Sequence, residues 1–129
     1  MEQLKWAERK FDLGSRKEYL PFLIERIKGT APRIEELMKD ISDTDLSKQI
    51  NKNWSAKERI GHLIDLEELH EARIDQFALG LTELRAADMS NKKTYESDHN
   101  QRNAADLIND LRKVRAKFIR NLKISMRTN

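Results

Sequence analysis

Apolar residues recur along this chain at three- and four-residue spacing, and the pattern predicts three long antiparallel helices near residues 17–41, 54–80 and 103–124. No strand-like alternation competes with it. In the first segment Ser15 and Glu18 carry a capping-box signature, in which a hydroxyl and a carboxylate satisfy orphan backbone donors reciprocally. Pro21 is tolerated only in a first turn, so the start falls nearer Leu20. Gly29, Thr30 and Pro32 then break or kink the stripe, which resumes through Ile34, Leu37, Met38 and Ile41, giving one bent helix or two short ones. Before it, residues 1–14 form a charged lead-in with Trp6 and Phe11 as docking points, closed by Gly14.

A polar connector, residues 42–53, leads to the second helix, which Ser55 and Glu58 open as another capping box and which stops near Gly80. At about 100° per residue, Ile60, Leu63, Ile64, Leu66, Ile74, Phe77, Ala78 and Leu81 form one broad apolar arc, with Leu69 at its edge. Asp65, Glu68 and Asp75 point away from it. Residues 82–102 make a connection longer than the two to eight residues or so usual in bundles. The third helix starts at Asn103 as N-cap, with Asp106 in the first turn, and Leu107, Ile108, Leu111, Val114, Phe118, Ile119 and Leu122 give it one buried face.

Three helices with stripes this wide leave a groove where a fourth would pack. The expectation is that the native protein continues beyond Asn129 or that two chains cover each other's grooves as a homodimer. The 129 residues suit one domain, and 36% charged residues with 6% aromatic ones suit a helical bundle. Cysteine is missing, which excludes disulfides, thiolate nucleophiles and cysteine-based zinc sites. Neither a signal-peptide core nor a run of about 18 apolar residues occurs, so the expected location is cytoplasmic, with no membrane partner. A net charge of +3 from 25 basic and 22 acidic residues is weak support for a polyanionic partner. The basic residues of the third helix, Arg112 to Arg127, read as a solvated face, since nucleic-acid binding would want interleaved aromatics.

His62 lies inside the apolar arc, between Leu69 and Leu66. A neutral imidazole there needs a partner, which can be a hydrogen-bond acceptor or a metal. His70 sits at the middle of the arc as a packing residue, and Glu67 beside it calls for an ion pair with His70 or with a basic residue of another helix. Ser55 and Glu58 are explained by capping. Asp88, Asn91 and Thr94 occupy a turn-prone run that either is a plain loop or lids the bundle mouth, and His99 reads as a solvated surface residue.

Trp54, Ser55, Glu58, His62, Leu63, Asp65 and Glu67 match the pattern W-S-x-x-E-x-x-x-H-L-x-D-x-E, and segments 19–37, 84–100 and 107–122 match as well. Together they resemble the DinB-like (YfiT-like) family of metal-dependent enzymes. The resemblance implies an all-α, up-down bundle of the four-helix type, of which this chain carries three main helices. It also implies a divalent metal, nickel or zinc, on three histidines. His62 holds the position of the first ligand, whereas the His-x-x-x-His pair of the fourth helix has no counterpart in this sequence. His70 stands eight residues from His62, about 12 Å along a helix, too far to share one ion. The implied activity is that of a hydrolase or a thiol-dependent transferase acting on a small molecule. A non-catalytic helical interaction module that self-associates suits the same residues.

Overall fold

The computed structural model describes residues 5, 8–10, 14 and 16–127. After a 3-10 turn at Lys17–Tyr19 come α1 (Leu20–Lys28), α2 (Thr30–Met38), α3 (Asp43–Leu46), α4 (Ala56–Ala78), α5 (Lys92–Glu96), a 3-10 turn at His99–Gln101, and α6 (Ala104–Arg127). No strand occurs among the described residues, and no described helix is long and apolar enough to cross a membrane. Trp6, Phe11 and Ser15 lie outside the described residues, so the docking and capping expected of them are not addressed.

The first long segment is two short helices. Pro32 has no N–H to give to the carbonyl of Lys28, so the ladder weakens at Gly29. Side chains take over part of it: Arg33 Nη2 donates to the Arg26 carbonyl at 2.8 Å, and the Thr30 hydroxyl donates to the same oxygen at 3.2 Å. At α4 the expected capping box is present. Ser55 Oγ accepts from Glu58 N at 3.1 Å, and Glu58 Oε1 accepts from Ser55 N at 3.0 Å.

Leu107 and Leu111 of α6 are fully buried and form the centre of the core with Ile60, Ala31 and Ile108. Helix α6 packs along much of α4, while α1 and α2 rest on α6 and meet α4 only sparsely.

The direction of α4 corrects the antiparallel order expected from the sequence. Asp43 Oδ2 lies 3.2 Å from Lys57 Nζ, in the first turn of α4, and accepts from Ala104 N, the first residue of α6, at 3.1 Å. Further along, Arg115 lies 3.5 Å from Glu67 and Lys117 3.3 Å from Glu71. Partners therefore advance together, and α4 and α6 run parallel. The α1–α2 arm runs against both: Glu35 pairs with Arg112, and Leu20 shares a cavity wall with Leu122 and Met126.

Two parallel neighbours need a connection that travels back the full helix length, here 23 residues or roughly 34 Å at 1.5 Å per residue. This accounts for the long stretch between α4 and α6, which is a crossover of the kind some bundles carry. It contains α5 and a 3-10 turn rather than being plain loop.

Candidate functional site

The crossover lies against one flank of α4 and buries polar groups there. Thr94 of α5 is 3% exposed, and its hydroxyl donates to Asp65 Oδ2 at 2.7 Å. The same carboxylate oxygen is 3.0 Å from His99 Nε2, and the His62 Nδ1 to Thr94 Oγ1 distance is 3.1 Å. Asp65 points away from the α6 core as expected, yet the crossover covers it, and its side chain is only 10% exposed. His99 corrects the surface reading outright: it is buried, because the crossover needs a polar anchor on α4 and Asp65 supplies the acceptor.

Two residues make that anchor possible. Gly61 sits inside α4, where glycine costs about 1 kcal/mol relative to alanine, and a Cβ built on it would stand 2.2 Å from the His99 ring. The missing side chain is the space the imidazole occupies. Ser55 Oγ, besides capping α4, donates to Asn100 Oδ1 at 2.5 Å and so fixes the turn that carries His99. Neither Gly61 nor Asn100 was evident as part of a site in the sequence. The one available signal was an isolated glycine in a helical pattern, which commonly has a packing reason.

His62 is partly buried, with the Trp54 ring against it at a centroid separation of 4.9 Å and Tyr95 edge-on to that indole at 5.4 Å. The Trp54 Nε1 donor is buried without a partner among the described residues. Burial holds His62 below the ordinary imidazole value; the charge of Asp65 opposes this and His99 adds to it. The imidazole is therefore neutral at physiological pH.

A cleft of about 200 Å³ opens beside it, lined by His62, Asp65, Asp88, Asn91, Lys93 and Thr94. The crossover thus brings Asp88 and Asn91 to the same cleft as His62. The Asp88 carboxylate is nevertheless taken up locally: it accepts from the Ser90 hydroxyl at 2.5 Å, from Ser90 N at 2.9 Å and from Lys92 N at 3.1 Å, and these bonds hold it below the usual carboxylate range. The last of these bonds satisfies the amide of the first residue of α5.

The other candidates are structural. Glu67 is buried, 3.0 Å from His70 Nδ1 and 3.5 Å from Arg115 Nε, which is the ion pair expected of it. The Arg115 contact is an ion pair without a hydrogen bond, and Arg115 Nε and Glu67 Oε2 have no hydrogen-bond partner among the described residues. His70 packs its ring on Phe118 at 5.9 Å. For Glu58, burial pushes the carboxyl up, and the bonds from Ser55 and Gln49 more than offset it, leaving it below its ordinary value.

Among the described residues no three His, Cys, Asp or Glu side chains are grouped so as to hold a metal ion. Asp65 and Asp88 already accept hydrogen bonds, and His62 contributes one imidazole. These donors do not fit a three-imidazole centre by themselves.

The architecture is an all-helical bundle in which two long helices run parallel and a crossover packs on one of them. It is similar to that of YfiT from Bacillus subtilis, a probable metal-dependent hydrolase with an unusual four-helix bundle topology. The TM-score is 0.73 and the identity 17%, over 91% of this chain and 67% of that one. At that identity the likeness shows the fold. No family model matches the chain, and no curated protein matches it in sequence.

Proposed function

We propose that this bundle serves a metal-dependent hydrolase of the DinB-like kind, with His62 as the ligand that this chain supplies and nickel or zinc as the ion. The observation that carries the reading is a neutral imidazole at the wall of a cleft that also holds Asp65, Asp88 and Asn91, on a fold like that of a probable metal-dependent hydrolase. Three histidines would complete such a centre, leaving positions for water or a thiol, and the remaining two have to come from outside the described residues.

Titration calorimetry with nickel and with zinc tests this. The chain alone is expected to bind weakly, since tight sites usually supply three or four protein ligands. A helical peptide bearing His-x-x-x-His, added in trans, is expected to produce tight binding that His62→Ala abolishes. Tight binding that survives His62→Ala would overturn the role of His62.

A second reading, a non-catalytic interaction module that pairs with a second copy, is favoured by the sparse contact between the α1–α2 arm and α4. Leu37, on the wall of the apolar cleft between that arm and α4, is 76% exposed. Light scattering over a dilution series would show concentration-dependent mass under this reading and a constant monomer mass otherwise.

A further inference from the structure

The His62 cluster shares one hydroxyl hydrogen, and following it fixes which imidazole nitrogen is bare. Threonine has a single O–H to donate. In this cluster it goes to Asp65 Oδ2 at 2.7 Å. Thr94 Oγ1 can then only accept at its 3.1 Å contact with His62 Nδ1, so the ring proton lies on Nδ1 and the lone pair on Nε2. The hydroxyl cannot rotate away without leaving the carboxylate, and that carboxylate is held from the other side by His99 Nε2 at 3.0 Å. The His99 ring is itself seated in the gap left by Gly61. A metal ligand or a proton acceptor needs its bare nitrogen in a fixed place, and a hydrogen bond at the opposite nitrogen is the usual way to fix it.

We propose that Thr94 is a positioning residue that locks His62 in its Nδ1–H form, with Asp65 and His99 anchoring the hydroxyl, so that Nε2 is the working nitrogen of the site. The crossover between α4 and α6 thereby sets the chemistry of a residue on α4. This rests on reading His62 as the functional side chain, and it specifies how that side chain is prepared before any ion or substrate arrives.

The test is the nitrogen spectrum of metal-free protein labelled with 15N-histidine. It is recorded about two units above the ordinary imidazole pKa of about 6.5, where free rings are neutral. The His62 signals are assigned by their loss in His62→Gln. Wild type is expected to show a protonated, pyrrole-type Nδ1 and a bare, pyridine-type Nε2. Thr94→Val, which keeps the shape and removes the acceptor, is expected to move both signals toward each other by at least half their separation, and Thr94→Ser to restore them. An Nε2–H pattern in wild type, or unchanged signals in Thr94→Val, would overturn the proposal. If Thr94→Val loses its helical circular dichroism, the wild-type and Thr94→Ser spectra still decide it, because both must show Nδ1–H. The measurement contains no metal, so a wrong tautomer leaves the calorimetric result on His62 standing, and an absence of metal binding leaves the tautomer standing.

Discussion

The two flanks of helix α4 are built in opposite ways. On one, the crossover returns from the far end of the helix and closes over it with Thr94 and His99 on Asp65, Lys93 on Glu68 at 2.9 Å, and Arg73 Nε on the Arg85 carbonyl at 2.9 Å. On the other, the α1–α2 arm leans on α6 and leaves an apolar cleft of about 230 Å³ against α4, lined by Ile34, Leu37, Met38, Ile60 and Leu63. The closed flank is specified by directional bonds that tolerate one arrangement. Apolar surface defines the open flank, and such surface can be covered by many partners. A side chain can be held in a single tautomer only on the closed side, and His62 is turned toward that side.

Substitutions along α4 should reproduce this contrast. The largest loss is expected at the seam with α6, where Ile60 is 4% exposed: Ile60→Ala should cost about 2–5 kcal/mol in urea unfolding. Next comes Gly61→Ala on the closed flank. Alanine gains about 1 kcal/mol of helix propensity, but the new Cβ would stand 2.2 Å from the His99 ring, and overpacking costs about 1–3 kcal/mol. The variant should be less stable than wild type and should lose the His99 to Asp65 bond, seen as an altered His99 nitrogen signal. A Gly61→Ala protein more stable than wild type would mean that the crossover is not anchored through His99.

The contrast also explains what could be read from the sequence. Helical periodicity made Ile60, Leu107 and Leu111 legible, and the Ser55 and Glu58 pair announced the start of α4, because both signals are local. Direction is not local. An antiparallel neighbour and a parallel one present the same stripe, so the parallel course of α6 left its only trace in the length of the connection. The site was half legible for the same reason. His62 stood out as a polar residue in an apolar arc, whereas His99 and Thr94 belong to a segment without periodicity, and their burial depends on a partner about thirty residues away, Asp65, that reads as solvent-facing on its own helix.

A smaller effect is expected from pH. Burial lowers the folded-state value of His62, with Asp65 opposing and His99 adding, so protonation is easier in the unfolded chain. Its contribution is fully present above the ordinary value of about 6.5 and is lost as pH falls through the lowered folded value. Comparing melting temperatures about one unit above and one unit below 6.5, wild type should lose more than His62→Gln. Equal losses would mean that the imidazole is as free to protonate in the folded protein as in the unfolded one.

The smallest effect should come from the open flank. Leu37 points into the apolar cleft yet is 76% exposed, so truncation removes little buried area and leaves no cavity behind. Leu37→Ala should therefore change stability by no more than about 0.5 kcal/mol, the range usual for surface positions. The measurement belongs at the lowest protein concentration that circular dichroism allows, followed by a repeat at a concentration tenfold higher or so. A second copy covering the arm would bury Leu37 only in the concentrated sample, and the cost of the substitution would then rise with concentration by mass action. A cost well above 1 kcal/mol that is already present in the dilute sample would show that the arm closes on α4 within one chain, and the two flanks would then differ in chemistry but not in coverage.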